Sequence, residues 1–231
     1  MHYRACLAAS MDGKINPPGE ARAISLGSAL DIAHLKALRD SADALVFGGK
    51  TFRSYPKRHQ AQRADHRPLH LILTRGDAIA RQIPPDSPFF TGAPDDAPPA
   101  LIMSAQAIAA ADRALYPDWV AWEQASGDAV SQTAAITQAL TARGCQAPLV
   151  EGGGEIVGLF IAARALSRLY LTLCPLVLGG GAAAPSFLSG VSFSRETAPR
   201  LHLVETLQRG DELFLTLDIT YAQAPASLPC P

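Results

Sequence analysis

In residues 148–156, an apolar strand leads directly into three glycines and then into a helical pattern. Glycines let a backbone approach a bulky anion closely, because no Cβ stands in the way. The helix that follows presents unpaired amide groups and the positive end of its dipole. This segment could therefore hold the pyrophosphate of a bound cofactor, on Gly152, Gly153, Gly154, Glu155 and Ile156. A tight structural connection would look the same, and the spacing differs from the G-x-G-x-x-G of a dinucleotide fold.

Two further strand-to-helix junctions carry groups that bind phosphate. They contain Gly48, Gly49, Lys50 and Thr51 in one case and Thr74, Arg75 and Gly76 in the other. Two cations and two hydroxyls suit a phosphate monoester. In an open α/β sheet, ligands collect at the carboxyl ends of strands, so the three junctions are predicted to line one crevice. Taken singly, each group is explained as well by a helix cap or a solvated surface cation.

Length and charge limit the class of protein. The chain has 231 residues, enough to bury one substantial core, and no change of composition marks an internal linker. With 20 Lys and Arg against 21 Asp and Glu, it has no general attraction to nucleic acid or to an anionic membrane. The longest apolar run, residues 161–178, is interrupted by two arginines, and the N-terminus lacks the pattern of a signal peptide. We therefore expect a cytoplasmic protein with neither nucleic acid nor membrane as a partner.

The cysteines and histidines form no metal-binding pattern. Cys6, Cys145, Cys174 and Cys230 are far apart, with no C-x-x-C and no histidine at ligand spacing. The H-x-E and P-C-x-x-C signature of zinc deaminases is also missing. We expect reduced thiols and no metal site.

A helical pattern covers residues 28–41. Ser28 is its predicted N-cap, and Asp31 stands at the third helical position, where it can complete a capping box. The apolar face consists of Ile32, Leu35 and Leu38. The charged residues are expected to lie largely off this face; they are Lys36, Arg39 and Asp40.

Strand patterns alternate with helical patterns along the rest of the chain. The predicted strands cover residues 3–9, 44–47, 69–74, 100–103, 119–122, 148–150, 169–177, 201–207 and 212–220. The other predicted helices run from Lys50 to the break at Pro56, over 106–115, over 133–143 with Gly144 just past its end, and from the three glycines to about Ala163.

This alternation predicts an α/β fold with a mostly parallel central sheet, helices on both faces and an antiparallel hairpin at the C-terminus. The proline-rich residues 84–99 are predicted to form a surface excursion. A single domain is expected over residues 1–223, followed by a disordered tail at 224–231.

Four motifs resemble those of a known family with the dihydrofolate reductase-like fold: the RibD C-terminal domain, which is the reductase domain of riboflavin biosynthesis. Residues 9–15 resemble its S-x-D-G-K/R signature, and residues 42–51 its A-D-A-hydrophobic-G-x-x-T segment. Residues 149–153 resemble its E-G-G, and residues 175–181 its P-hydrophobic-G-G-G. The matches occur in the family's order and extend from residue 5 to about residue 190.

The resemblance implies an NADPH-dependent reductase that converts the ribose of a (5-phosphoribosylamino)pyrimidine into a ribityl chain. By position in the motifs, Thr51, Thr74 and Arg75 would hold the adenosine side of NADPH, and residues 152–156 its pyrophosphate. The other expected cofactor contacts are Gly48, Gly49 and Lys50. The substrate would contact Ser10, Asp12, Lys14, Arg53 and Glu151, with Lys14, Glu151 and Asp12 as the catalytic set. A mobile cation such as Lys14 can polarise a carbonyl or imine, and a carboxylate can fix hydroxyl groups. The family also implies a homodimer.

The chain departs from the family's pattern in two places. Arg53-Ser54-Tyr55-Pro56 replaces the usual R-x-D-D-P, and Ser167-Arg168 replaces an acidic pair before the final glycine-rich motif. The first departure leaves open a relative that reduces another pyrimidine or an unrelated carbonyl compound. Asp31 also leaves open dihydrofolate reductase itself, which places a substrate-binding carboxylate on the helix after the first loop. A non-catalytic NADP-binding module is the third alternative, and Asp12-Gly13 is also a common turn dipeptide.

Overall fold

A computed structural model describes residues 1–20, 22, 24–91 and 99–222. Nine strands form a single sheet within these residues. The strands are β1 Tyr3–Ser10, β2 Ala44–Gly48, β3 Leu69–Thr74, β4 Ala100–Ser104, β5 Val120–Gln124, β6 Pro148–Gly152, β7 Leu166–Cys174, β8 Arg200–Arg209 and β9 Glu212–Thr220. The helices are α1 Ala29–Arg39, α2 Gly49–Ser54, α3 Ile79–Gln82, α4 Ala110–Arg113, α5 Ala129–Thr141 and α6 Gly154–Ala162.

The order of strands across the sheet is β5-β4-β3-β2-β6-β1-β7-β9-β8. The first seven strands in this order are parallel, whereas β9 pairs antiparallel with both β7 and β8. This arrangement confirms the predicted α/β fold, with a mostly parallel sheet and an antiparallel hairpin at one edge. It also brings the ends of β3, β2 and β6 side by side.

Alternate residues of each central strand point to opposite faces of the sheet, and each face carries its own apolar core. On β2, Ala44 and Val46 belong to one core, which also contains Ile136 of α5 and Phe160 of α6. Leu45 and Phe47 of the same strand belong to the other core, together with Leu35 and Leu38 of α1 and Phe52 of α2. Helices therefore cover both faces, as predicted.

Several predicted boundaries are wrong. The alanine-rich helix predicted over 106–115 is only the short α4, since the exposed residues of that segment offer no apolar face to pack. Helix α5 begins before the predicted residue 133, because Asp128 caps it by accepting a hydrogen bond from Ser131 N at 2.8 Å. Helix α3 was not predicted. Part of the excursion predicted at 84–99 and the tail predicted at 224–231 lie outside the described residues, as does Cys230.

The prediction that Ser28 caps α1 is confirmed, because its hydroxyl accepts a hydrogen bond from Leu30 N at 3.1 Å. The capping box with Asp31 does not form. Instead, Glu212 at the start of β9 accepts hydrogen bonds from Ser28 N at 2.6 Å and from Ser28 Oγ at 2.7 Å. The carboxylate of Asp31 makes a hydrogen bond with Thr172 of β7.

Among the described residues, no helix is both long and apolar enough to cross a membrane.

Candidate active site

The three junctions proposed to share a crevice follow strands that are direct neighbours in the sheet. Gly48 of β2 is in register with Leu73 of β3, and Phe47 of β2 with Gly152 of β6. All three strands are parallel, so their carboxyl ends lie at the same edge. The turns after β2, β3 and β6 therefore open onto one region of the surface.

Thr51 of α2 lies against the glycines that follow β6. A Cβ atom added to Gly152 would stand 2.7 Å from Thr51 Oγ1, which is closer than any real contact of this kind. At Gly153 the same hydroxyl would be 3.7 Å away, and Gly153 has a φ of +75°, which favours glycine. Thr51, Gly152 and Gly153 thus form a compact unit at the start of α6. A side chain at either glycine would disturb it.

The turn after β3 is tied to α2 through Gln82 of α3. Thr74 Oγ1 donates a hydrogen bond to Gln82 Oε1 at 2.7 Å, and a Cβ atom on Gly49 would lie 3.6 Å from the same oxygen. Arg53 Nη1 donates to the backbone carbonyl of Gln82 at 3.3 Å. Gln82, which sequence reasoning missed, therefore connects three of the predicted site residues.

The side chains of Lys50 and Arg75 remain exposed. Neither has a hydrogen bond or an ion pair with any other residue that the structure describes. Lys50 follows β2 and Arg75 follows β3, next to Gly49 and Thr74, which both lie close to Gln82. The edge of the sheet therefore presents two cations that can meet an anion without first breaking a protein contact.

Gly154 and Gly158 of α6 serve the packing of the protein itself. A Cβ atom on Gly154 would overlap the carbonyl oxygen of Ser186, and one on Gly158 would overlap that of Ser189. Ser189 N also donates to Gly154 O at 3.1 Å. The absence of a side chain at Gly154 is thus explained by residues 186–189, which cross α6 at its first turns.

Asp12 holds the glycine-rich loop that follows β7. Its carboxylate accepts hydrogen bonds from Leu178 N at 3.0 Å and Gly179 N at 2.8 Å, and from Ser10 Oγ at 2.7 Å. The Leu178 amide and the Ser10 hydroxyl are the main reasons why the pKa of Asp12 is lowered to about 2. Asp12 is therefore a permanent anion whose role in this structure is to fix residues 178 and 179.

Lys14 contacts the same loop from the other side. Its Nζ donates to Gly181 O at 2.7 Å and lies 3.3 Å from Ser186 Oγ. Since Ser186 also borders Gly154, Lys14 stands close to the start of α6. An ammonium group has three N–H donors, so one remains for a ligand.

Glu151 is buried and already paired. Its two carboxylate oxygens accept from Arg39 Nε at 2.6 Å and Arg39 Nη2 at 2.8 Å, and Oε2 lies 2.7 Å from His59 Nδ1. The side chains of Arg39 and Glu151 are 8% and 3% exposed. Burial would raise the pKa of Glu151, but Arg39 and His59 outweigh it and hold the pKa at about 2. Direct contact of Glu151 with a substrate stays a prediction; within the protein, this carboxylate anchors Arg39 and His59.

The prediction that Arg39 lies off the apolar face of α1 is wrong. Arg39 stands four residues after Leu35, so the helical period places both on the face that covers the sheet. His59 is the second residue that the sequence did not reveal. Its ring stacks on Phe47, with centroids 4.4 Å apart, beside the β2 junction.

His70 supports the backbone of His59. Its Nε2 accepts a hydrogen bond from His59 N at 3.1 Å, which requires an unprotonated Nε2 and therefore places the proton on Nδ1, 3.0 Å from Pro68 O. Burial is the largest cause of a pKa lowered to about 3, and the neighbouring His59 acts in the same direction. His70 is thus a neutral structural acceptor.

Asp31 occupies a half-buried position beside β7. Burial raises its pKa above the ordinary value; a hydrogen bond with Thr172 opposes this shift, and the nearby Glu212 reinforces it. Within the described residues, no three His, Cys, Asp or Glu side chains come together as metal ligands.

The chain belongs to the RibD C-terminal domain family, whose profile matches residues 3–215. A curated relative, riboflavin biosynthesis protein RibD of Bacillus amyloliquefaciens, is 32% identical over 82 residues, which are 35% of this chain and 22% of that protein. The matched segment thus spans about a fifth of that relative.

Solved structures share the fold. A pyrimidine reductase-like protein of Corynebacterium diphtheriae has a TM-score of 0.74 at 20% identity, and the match covers 95% of this chain and 92% of that one. RibD of Acinetobacter baumannii has a TM-score of 0.72 at 15% identity, covering 95% of this chain and 58% of that one. A deaminase/5-amino-6-(5-phosphoribosylamino)uracil reductase of Thermotoga maritima has a TM-score of 0.73 at 19% identity, covering 95% and 56%. The fold is therefore that of RibD reductase domains, which is dihydrofolate reductase-like.

Proposed function

We propose that the chain is an NADPH-dependent reductase of the riboflavin-biosynthesis type, which converts the ribose of a (5-phosphoribosylamino)pyrimidine into a ribityl chain. The observation that carries this proposal is the packing of Thr51 against Gly152 and Gly153 at the start of α6, beside the exposed Lys50 and Arg75. Membership of the RibD C-terminal domain family supports the reaction class.

The residues at this edge fit an NADPH molecule. The first amides of α6 have no partners within the helix and lie at the positive end of its dipole, which suits a pyrophosphate beside Gly153 and Glu155. Lys50 and Arg75 are free to pair with the additional phosphate of the adenosine side, and Thr51 and Thr74 supply hydroxyls. When bound, the cofactor supplies a hydride for the sugar carbon.

The chain's own residues would then orient the sugar and balance its charge. We assign to Lys14 the contact with the open-chain carbonyl or imine, since its remaining N–H can donate to an atom on which negative charge develops. Ser10 and Asp12 fix the loop against which Lys14 is held. Arg53, exposed on α2, is the other cation that we place beside the substrate.

Glu151 receives a revised role in this proposal. Its carboxylate already accepts three hydrogen bonds from Arg39 and His59, so it acts mainly by positioning these two residues. Because Glu151 directly precedes Gly152, the same ion pair also holds the end of β6 in place.

One observation favours a second candidate, the reduction of a dihydrofolate-like heterocycle. Asp31 is half-buried, makes no cap and is linked to Thr172, and its raised pKa would suit a carboxyl group that shares a proton with a ring nitrogen. A substrate test must therefore include dihydrofolate.

The decisive experiment is an NADPH oxidation assay with the deaminated and the aminated phosphoribosylamino-pyrimidine and with dihydrofolate as separate substrates. Turnover with one of the two pyrimidines is the expected result. Turnover with dihydrofolate alone would replace the proposal by the second candidate. Tight NADPH binding without turnover of any of the three would identify a non-catalytic NADP-binding module.

We also propose a cytoplasmic homodimer. All ten residues of the edge strand β8 are exposed, including Leu201, Leu203, Val204 and Leu207. An open apolar edge of this length invites pairing with another chain. The three described cysteines are buried and unpaired, as suits a reducing compartment.

A further inference from the structure

A cavity of about 450 Å³ lies between α1 and the segment that connects α2 to β3. It is separate from the strand-end junctions of Thr51 and Thr74. Its walls are Lys36 of α1 and residues 58–64, 66–68 and 70.

The lining of this cavity is strongly basic. Among the residues that the structure describes, the wall has three arginines, one lysine and three histidines, and no carboxylate: Lys36, Arg58, His59, Arg63, His66, Arg67 and His70. Two carboxylates approach wall residues without lining the cavity: Asp40 lies 3.9 Å from Arg63 Nε, and Glu151 Oε2 lies 2.7 Å from His59 Nδ1. The carbonyl of Lys36, at the negative end of α1, is already engaged by Gln62 N and Asp40 N, so it does not repel an anion.

His59 provides the second observation. Its side chain is 4% exposed, and Nδ1 is committed to Glu151, which is not part of the cavity wall. Nε2, the other ring nitrogen, has no hydrogen-bond partner among the described residues. A buried polar atom without a partner costs free energy, and a ligand oxygen in the cavity would give it one.

We propose that this cavity binds the phosphate group of a phosphate monoester. Guanidinium and ammonium groups suit a doubly charged oxyanion, and the described part of the wall adds no carboxylate to oppose it. His59 connects the cavity to Glu151 at the end of β6, so the phosphate would lie one side chain away from the proposed active site. Two sources supply this chemistry: the sugar phosphate of the substrate, which rests on the proposed function, or a separate phosphate compound.

Calorimetric titration with inorganic phosphate and with ribose 5-phosphate tests the site, with uncharged ribose as the comparison. Lys36→Gln should weaken binding of both phosphates by about tenfold or more, since a charged hydrogen bond is lost. Lys57→Gln is the matched control, because it removes the same charge from the adjoining segment but outside the cavity. Addition of phosphate should also shift the Nε2 resonance of His59, while His70, whose two ring nitrogens are already bonded, should stay nearly unchanged.

The reductase assay then distinguishes the two sources. In one outcome, Lys36→Gln weakens phosphate binding and also raises the KM for the pyrimidine, with kcat unchanged. This result assigns the cavity to the substrate's own phosphate. An unchanged KM with weakened phosphate binding assigns it to a separate phosphate compound. Two results would reject the phosphate site: the parent protein binds neither phosphate at millimolar concentration, or Lys36→Gln binds phosphate as tightly as Lys57→Gln. If the parent protein binds neither phosphate but still reduces the pyrimidine, only the phosphate site is rejected and the proposed function stands. If it binds phosphate but reduces no substrate, only the proposed function is rejected.

Discussion

Arg39 and Glu151 meet in a two-point ion pair beneath the turn after β6, with 2.6 Å between Nε and Oε1 and 2.8 Å between Nη2 and Oε2. The two residues are 112 positions apart in sequence, so the pair joins α1 to the middle of the sheet. Its burial makes it sensitive to the loss of either partner.

Arg39→Met should lower the free energy of unfolding by about 3–5 kcal/mol, because it leaves the buried charge of Glu151 without its main partner. Urea denaturation measures this difference. Arg168→Met is the matched control, since the pair of Arg168 with Asp218 has the same geometry at the surface and should matter far less. A double variant, Arg39→Met with Glu151→Leu, should recover much of the loss; failure to do so would show that Arg39 stabilises the fold by packing alone.

Stability should fall in two stages as the solution is acidified. His70 has a pKa lowered from 6.5 to about 3, so the unfolded chain takes up its proton first and stability decreases through that interval. Glu151, lowered from 4.5 to about 2, contributes stability that is complete above 4.5 and is lost as the pH falls towards 2. In His70→Gln, whose amide oxygen can accept the bond from His59 N without titrating, the upper stage of unfolding measured across this range should become smaller. His34, whose pKa burial also lowers, still contributes to that stage. An identical pH profile in that variant would contradict the assignment.

Arg75→Ala should raise the dissociation constant of NADPH by about tenfold or more and leave that of NADH unchanged, because a charged contact to phosphate contributes about 1.5–3 kcal/mol. Fluorescence titration with both cofactors provides the measurement. Arg81→Ala, an equally exposed arginine on α3, should affect neither cofactor. Equal affinity of the parent protein for NADPH and NADH would show that the additional phosphate of NADPH does not bind at this edge of the sheet.

Gly153→Val should abolish cofactor binding at a moderate loss of stability. Its φ of +75° strains any side chain, at about 1–3 kcal/mol, and the new atoms would occupy the approach to the first turn of α6. Gly144 has a φ of +77° and no heavy atom near its missing Cβ, so Gly144→Val should show similar strain with unchanged NADPH binding. Melting curves beside the titrations separate the two effects; normal binding by Gly153→Val would make this glycine purely structural.

Lys14→Ala should reduce kcat by about a hundredfold or more, the scale on which a lost electrostatic contact slows a reaction. NADPH affinity should stay constant, since Lys14 lies on the substrate side of the proposed site. Ser186→Ala removes one contact of Lys14 without removing the ammonium group, and should retain most of the activity. A folded Lys14→Ala protein that turns over at the parental rate would exclude Lys14 from the reaction.

The sequence predicted the elements that depend on local patterns. Apolar runs that end in polar residues or glycines predicted parallel strands. Because the carboxyl ends of neighbouring parallel strands share an edge of the sheet, Gly48, Thr74 and Gly152 were expected to lie close together. Ser28 was recognisable as a cap because capping is decided within one helical turn.

Contacts between residues far apart in the sequence could not be predicted from local patterns. Arg39 follows the apolar period of α1, yet only its meeting with Glu151 explains why a guanidinium lies there. His59 sits in an irregular segment without any periodicity. The sequence around Gly154 likewise does not show that residues 186–189 fill the space beside it. No local pattern reports which distant segment will pack against a given helix.

The order of strands also has a consequence for how the chain is made. β1 leaves the ribosome before the other strands of the sheet, but its neighbours are β6 and β7, and β6 begins only at Pro148. Such distant pairing slows folding, and a nascent chain that ends earlier keeps β1 without either neighbour and with both edges open. The insertion of β6 between β1 and β2 joins two parts of the sheet and brings Gly152 to Thr51 in the same event, so the candidate cofactor turn cannot form before these two parts meet.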